Sequence, residues 1–128
     1  MMPKILSIDD SRTIRLLLAR LFRPFACELV EAANGEEGLA VAEREKPDLI
    51  ILDYNMPVMD GITMLRKLRE DAGLKGTPVL MLTADSGLQS LATVARLGVR
   101  DYVIKPFQEQ ELLAKAGRII PLILRAEP

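Results

Sequence analysis

Short apolar runs alternate along this chain with longer segments that have the apolar spacing of helices. Five runs are nearly continuous in apolar residues, as expected of strands buried on both faces: KILSI, CELVEA, DLIILD, PVLMLT and DYVIK. The intervening segments repeat their apolar residues every three or four positions: TIRLLLARLF, GEEGLAVAEREK, GITMLRKLRED, GLQSLATVARLG and EQELLAKAGRII. This alternation predicts a (βα)5 chain of the α/β class, a doubly wound parallel five-stranded sheet with helices on both faces.

Length and composition indicate one domain with an ordinary core. The chain has 128 residues, 49% of them hydrophobic and 27% charged, which is enough for a single core. We predict a folded domain over residues 1–122 and a C-terminal tail over residues 123–128, with the last four residues, RAEP, frayed. Asn34 and Asp60 are expected to begin helices, and Gly98 and Pro121 to end them.

Charge and hydropathy exclude several classes of protein. The net charge of −1 provides no basic field, so we expect no direct contact with nucleic acid. No apolar run is long enough to span a bilayer. The N-terminal residues lack the pattern of a secretory signal, so we expect no membrane association and a cytoplasmic location.

The chain contains no histidine and one cysteine, Cys27. The absence of histidine removes the commonest general base, the nucleophile–histidine arrangements and most zinc sites. Cys27 has no partner for an internal disulfide, and its surroundings favour a small buried hydrophobe. Any chemistry therefore depends on carboxylates, hydroxyls, lysine and arginine, and a bound metal should be a hard ion that takes oxygen ligands.

Polar residues follow four of the five predicted strands. The first strand ends at Asp9 and Asp10, the third at Asp53, the fourth at Thr83 and the fifth at Lys105. In a parallel sheet these carboxyl ends share one edge, where ligands bind at the switch in strand order. Helix capping is the alternative explanation for the acidic pair, but the convergence of four strands favours a shared site.

Those side chains have the chemistry of a phosphoryl-transfer site. Clustered carboxylates repel one another unless a cation neutralises them, and Mg²⁺ prefers oxygen ligands and exchangeable waters. A carboxylate beside the metal, such as Asp53, can attack a phosphoryl group and become an acyl phosphate. A hydroxyl at Thr83 and an ammonium at Lys105 would stabilise charge on the transferring oxygens.

Four motifs in the same order resemble the receiver domain of two-component response regulators. They are DD after the first strand, LDYNMPVMDG around Asp53, LTAD around Thr83 and DYVIKPF around Lys105. The resemblance covers essentially the whole chain. It implies the flavodoxin-like, or CheY-like, fold with strand order 2-1-3-4-5.

The resemblance also implies a phosphoacceptor and a metal site. Asp53 would accept the phosphoryl group. Asp10 and Asp53 would bind Mg²⁺ directly, together with the backbone carbonyl of Asn55. Asp9 would act mainly through a metal-bound water.

Further roles follow from the same resemblance. Thr83 and Lys105 would contact the phosphoryl oxygens, and the peptide bond after Lys105 would be cis. Tyr102 matches an aromatic switch position and would move inward as Thr83 is drawn toward the phosphate. Asn55 and Asp85 would tune the lifetime of the acyl phosphate, and because both are polar we expect self-dephosphorylation.

The implied partners are a kinase and an output protein. A sensor histidine kinase or phosphotransfer protein would supply the phosphoryl group from a phosphohistidine. The surface of the fourth helix, fifth strand and fifth helix would then change and control an output protein or domain. The chain would be a monomer or a phosphorylation-dependent dimer.

The fourth helix offers a more specific partner surface. If Val94 and Leu97 face the core, an apolar stripe faces solvent beside the fifth strand; it consists of Leu88, Leu91, Ala95 and Tyr102. The alternative is that the helix rotates to bury the leucines. A charged residue at Leu91 separates the two, since a large loss of stability would indicate a buried side chain.

Other functions remain open at this point. A Mg²⁺-dependent phosphatase with an aspartyl nucleophile is one, although phosphatases resembling the haloacid dehalogenase type carry Asp-x-Asp after the first strand. A flavodoxin-like electron carrier is disfavoured by the acidic DDSRT where a flavin phosphate would sit. A receiver that has lost phosphorylation is disfavoured by the complete acidic set. The chain could also be the receiver portion of a longer response regulator or hybrid kinase.

Overall fold

The computed structural model describes residues 2–84 and 88–126 and confirms the predicted alternation of strands and helices. The strands are β1 Lys4–Ile8, β2 Glu28–Ala32, β3 Leu49–Asp53, β4 Val79–Thr83 and β5 Asp101–Ile104. The helices are α1 Arg12–Phe22, α2 Gly35–Glu45, α3 Gly61–Glu70, α4 Leu88–Arg96 and α5 Glu109–Ile119. None of the helices in the described ranges has the length and apolar character needed to cross a membrane.

The five strands form one parallel sheet in the order β2-β1-β3-β4-β5, as expected. The order reverses between β1 and β3, which is the switch point where such sheets bind ligands. Ile8 of β1 is in register with Leu52 of β3. Asp9 follows Ile8 and Asp53 follows Leu52. The two aspartates therefore emerge side by side at the carboxyl edge of the sheet.

Helices cover both faces of the sheet. One buried cluster joins α2, α3 and α4 to one face, and a second joins α1 and α5 to the other. Strands β3 and β4 are buried along their whole length, since both faces are covered. Alternate residues of β3 serve the two clusters: Ile50 and Leu52 in the first, Leu49 and Ile51 in the second.

The helix starts predicted at Asn34 and Asp60 and the stop predicted at Gly98 are confirmed, and Ser11 begins a further helix. The side chains of Ser11, Asn34 and Asp60 accept hydrogen bonds from backbone N–H groups in the first turns of α1, α2 and α3. Such caps satisfy donors that have no partner within the helix. Gly98 follows α4 with a φ of 76°, a conformation that glycine adopts without steric cost.

The prediction of a frayed tail is wrong for Arg125. Its backbone N–H donates to the carbonyl of Pro24, and its guanidinium donates to the carbonyls of Arg23 and Cys27 at 2.8 and 2.9 Å. Just before it, Leu124 forms an antiparallel bridge with Phe25. The arginine at position 125 gives no sequence signal for this docking, because its partners are main-chain carbonyls.

Val58, in the loop between β3 and α3, has a φ of 69° and is 83% exposed. A β-branched residue in the left-handed region is strained. Because the side chain is largely exposed, its burial contributes little stability to offset that strain. We expect Val58→Asn to raise the free energy of unfolding by about 1 kcal/mol, because asparagine tolerates this conformation. Urea titration would measure the change, and an equal gain for Val58→Ala would contradict the backbone explanation.

Ser7 places a hydroxyl inside the core. The residue is 0% exposed, and its Oγ has no hydrogen-bond partner among the described residues. A buried hydroxyl without a partner loses its hydration and gains nothing in exchange. Ser7→Ala is therefore expected to stabilise the domain by about 1 kcal/mol, measured by chemical denaturation. A loss of stability would mean that the hydroxyl has a partner.

Candidate functional site

Three carboxylates meet at the carboxyl edge of β1 and β3. One oxygen from each of Asp9, Asp10 and Asp53 lies within 4.8 Å of the other two. Asp9 and Asp53 are 1% and 2% exposed, whereas Asp10 is exposed to solvent. The predicted acidic set is thus brought together, with one member at the mouth and two inside.

Lys105 connects two of these carboxylates. Its Nζ lies 3.1 Å from Oδ2 of Asp9 and 3.1 Å from Oδ1 of Asp53. The peptide bond between Lys105 and Pro106 is cis. Through its contacts with Asp9 and Asp53, the lysine after β5 reaches across the sheet edge and partly neutralises the two buried acids.

Asp9 is held firmly by its own neighbourhood. Its Oδ1 accepts a hydrogen bond from the backbone N–H of Ser11 at 2.9 Å. Its backbone carbonyl accepts one from the guanidinium of Arg15 at 2.6 Å, and Arg15 also pairs with Glu31 at 3.3 Å. Sequence reasoning missed Arg15, and no pattern could have found it, because its acceptor is a main-chain oxygen.

Asp10 is bonded to none of the described side chains through its carboxylate, whereas both oxygens of Asp9 are engaged. The adjacent acids Asp9 and Asp10 therefore differ in burial and in hydrogen bonding. Asp9 is fixed and buried, and Asp10 has its oxygens available to a ligand at the mouth of the site.

Burial raises the pKa of Asp53 to about 6, and the nearby negative charge of Asp9 acts in the same direction. Hydrogen bonds from Lys105 and from the backbone N–H of Asn55 oppose the rise. For Lys105, burial lowers the pKa, but the charges of Asp9 and Asp53 outweigh it and the pKa is raised. The site is therefore short of positive charge, and an added cation would favour ionised Asp53.

These carboxylates fit a hard divalent ion. Three oxygens lie within 4.8 Å of one another, and Mg²⁺ is bound in proteins by one or two carboxylates together with waters. The described residues of the site contribute no thiolate or imidazole, the ligands that softer metals prefer. Its donor chemistry thus agrees with the expected magnesium ion.

Thr83 and Tyr102 lie where their strands place them. Thr83 is the last residue of β4, and it is 3% exposed. Tyr102 lies within β5 and is half-buried, with the Nζ of Lys115 5.4 Å from the centre of its ring. That ammonium also donates to the backbone carbonyl of Tyr102 at 2.8 Å, so α5 holds this tyrosine from outside.

The expected partner surface on α4 is described in part. Val94 is buried and Leu97 packs against the core, as predicted, and Ala95 is exposed. The positions of the side chains of Leu88 and Leu91, and of Asp85 as a whole, lie outside the described residues.

Fold and site together define a class of signalling protein. The profile of the response regulator receiver domain matches residues 5–117. The chain belongs to the response regulator receiver family, a family of signalling domains rather than classical enzymes.

Curated relatives include both short and long proteins. The chain is 38% identical to the chemotaxis protein CheY of Pseudomonas aeruginosa over 117 residues, which cover 91% of the chain and 94% of that protein. It is 38% identical over 120 residues to the alkaline phosphatase synthesis transcriptional regulatory protein PhoP of Bacillus subtilis, covering 94% of the chain and 49% of PhoP. The chain thus spans about half the length of PhoP and of the other transcriptional regulators that it matches.

Solved structures agree with this assignment. The chemotaxis protein CheY4 of Vibrio cholerae superposes with a TM-score of 0.88 at 34% sequence identity. The match covers 94% of this chain and all of that one. The likeness therefore covers nearly the whole chain.

Proposed function

We propose that this domain is a phospho-accepting switch in which Asp53 takes a phosphoryl group from the phosphohistidine of a partner kinase or phosphotransfer protein. One observation carries the proposal. The ammonium of Lys105 lies 3.1 Å from both Asp9 and Asp53, so the cation that follows β5 already faces the edge where a phosphoryl group on Asp53 would sit.

In the proposed transfer, a carboxylate oxygen of Asp53 attacks phosphorus. An O–P bond forms, and the P–N bond to the donor imidazole breaks, with the imidazole leaving and taking up a proton. Negative charge on the phosphoryl oxygens would be met by Lys105 and by the hydroxyl of Thr83. Sharing the ammonium with the phosphoryl group would loosen its bonds to Asp9, which links the chemistry to a change in the site.

Mg²⁺ would be held by Asp10 and Asp53, with the backbone carbonyl of Asn55, while Asp9 would hold one of its waters. When bound, the ion would neutralise charge on the acids and on the transferring group. The exposure of Asp10 and the complete engagement of Asp9 support this division of roles. Water would later hydrolyse the acyl phosphate, and Asn55 and Asp85 would set the rate.

The surface formed by α4, β5 and α5 would transmit the signal by contacting an output protein or domain. In the proposed switch Thr83 is drawn toward the phosphate and Tyr102 moves inward, changing a surface of Leu88, Leu91, Ala95 and Tyr102 that an output protein or domain recognises. We place the domain in the cytoplasm, over residues 1–122, as a monomer or a phosphorylation-dependent dimer. The half-length match to transcriptional regulators leaves room for an output domain in the same polypeptide.

The proposal can be tested with a phosphorylated histidine kinase that carries a radioactive phosphoryl group. We expect the label to move to the wild-type chain and to Asp48→Asn, a matched change at an exposed acid, but not to Asp53→Asn. Hydroxylamine should release the label, since it cleaves acyl phosphates. Label that resists hydroxylamine, or that reaches Asp53→Asn, would contradict the proposal, and turnover of a phosphomonoester in large excess would favour a phosphatase.

A further inference from the structure

A cavity lies at the opposite edge of the sheet from Asp53. It has a volume of about 440 Å³ and lies between the α3–β4 and α4–β5 loops, at the amino ends of β4 and β5. Small-molecule sites commonly have volumes of roughly 300–1,000 Å³. The phosphoryl-transfer site uses none of its lining residues.

The lining of this cavity is cationic. Arg69, Lys75, Arg96 and Arg100 contribute four positive charges, and the lining includes no carboxylate. None of the four forms an ion pair with an acid among the described residues. In a chain with a net charge of −1, this is a local excess of like charges that repel one another and that an anion would relieve.

Arg69 forms the fixed floor of the cavity. Its guanidinium donates to the carbonyls of Lys75 and Thr77 on one loop, at 3.0 and 2.9 Å, and of Leu97 and Gly98 on the other, at 2.8 and 3.3 Å. Burial lowers the pKa of this group, which fits a guanidinium bonded to carbonyls instead of a carboxylate. The two loops are thus tied together before any ligand arrives, as a preorganised site requires.

The other three cations remain able to reach a ligand. Lys75, Arg96 and Arg100 are exposed, and they come from the α3–β4 loop, the end of α4 and the α4–β5 loop. Between them Gly76 leaves open space, since a Cβ built on it meets nothing within 4 Å. Arginine forks and a lysine ammonium converging from three segments are suited to phosphate oxygens.

We propose that this cavity binds a small molecule that carries at least two linked phosphates, such as inorganic pyrophosphate or a nucleoside diphosphate. Three exposed cations and the fixed Arg69 carry more positive charge than one phosphate would balance, and the cavity is larger than a single phosphate ion would fill. Such a ligand would bridge the end of α4 to the α3–β4 loop. Binding does not require phosphorylation at Asp53.

Amide NMR of the unphosphorylated protein with EDTA and without Mg²⁺ tests the proposal, with pyrophosphate and ADP as the probes. We expect saturable shifts centred on Gly76, Thr77, Gly98 and Arg100. The double variant R96E/R100E should weaken pyrophosphate binding at least tenfold, and Gly76→Glu, which adds a carboxylate in open space, should weaken it similarly. Arg20→Glu, which changes an exposed cation on α1, should leave the affinity within twofold.

Comparing the two probes shows whether the cavity binds a nucleotide or inorganic pyrophosphate. Binding of both indicates a nucleotide site, and binding of pyrophosphate alone indicates an inorganic one; either supports the proposal. The proposal fails if neither probe gives saturable shifts up to about 10 mM, if the shifts centre on Lys105, or if R96E/R100E and Arg20→Glu weaken binding equally. The last result would indicate diffuse attraction that salt screens.

Discussion

Replacing Gly61 by alanine is expected to destabilise the domain by about 2–3 kcal/mol, although the same change at an ordinary helix position stabilises by about 0.5–1 kcal/mol. A Cβ at Gly61 would lie 2.7 Å from the backbone carbonyl oxygen of Asp53 and 2.9 Å from the Cα of Tyr54. Both atoms belong to the main chain, so neither can rotate away. The first residue of α3 therefore packs directly against the segment that carries the proposed phosphoacceptor.

The same substitution should impair the site. Because the clash displaces the backbone of Asp53, we expect phosphorylation by a small phosphodonor to slow at least about tenfold. Gly76→Ala is the matched control, since a Cβ there meets nothing within 4 Å, and it should leave both stability and rate nearly unchanged. Urea unfolding and phosphorylation rates measure the two effects, and equal behaviour of the two variants would refute the close-packing explanation.

Asp53→Asn is expected to raise the free energy of unfolding by about 2 kcal/mol at pH 7.5 in the presence of EDTA. Burial raises the pKa of Asp53 from 3.8 to about 6, and each unit of difference corresponds to about 1.4 kcal/mol. The full difference would be about 3 kcal/mol. We expect less because the substitution also removes a charged partner from Lys105.

The pH dependence follows from the direction of the shift. Below pH 3.8 Asp53 is protonated in both states, and the protonated form is tolerated in the core. As the pH rises toward 6, the unfolded chain has lost its proton while the folded chain retains it, so stability falls; above about 6 it levels off. The advantage of Asp53→Asn should therefore appear between pH 4 and 6.

Denaturant titrations across that range would measure the effect, with Glu70→Gln as a control at an exposed carboxylate. Mg²⁺ should reduce the difference in the free energy of unfolding between wild type and Asp53→Asn, because it stabilises the ionised acids. The explanation would be contradicted if the stability difference between Asp53→Asn and wild type did not vary with pH, or if Asp53→Asn were the less stable at pH 7.5. Either result would show that the surroundings do not destabilise the ionised carboxylate of Asp53.

Most of the fold could be predicted from local sequence. Continuous apolar runs of five or six residues occur in strands buried on both faces, and the helix caps at Asn34 and Asp60 obey local rules. The strand order came from the resemblance, because no local pattern states which strands are neighbours. The docking of Arg125 escaped prediction since it depends on carbonyls that only the folded chain brings together.

The sequence predicted which residues form the candidate site better than it predicted the contacts that hold them in place. Residues Asp9, Asp10, Asp53 and Lys105 follow strands, and strand ends of a parallel sheet must converge. The sequence could not reveal that Arg15 clamps Asp9 or that Gly61 packs on Asp53, because both contacts involve main-chain atoms. The assigned roles of these residues remain predictions.

The central claim is that Asp53 accepts a phosphoryl group with the help of Mg²⁺, and intact-mass measurement with acetyl phosphate tests it most directly. We predict the mass of one added phosphoryl group on the wild-type chain with Mg²⁺, and none when EDTA removes the metal or when Asp53 is changed to Asn or Ala. No added mass on the wild-type chain, or an addition that survives either substitution, would contradict the account.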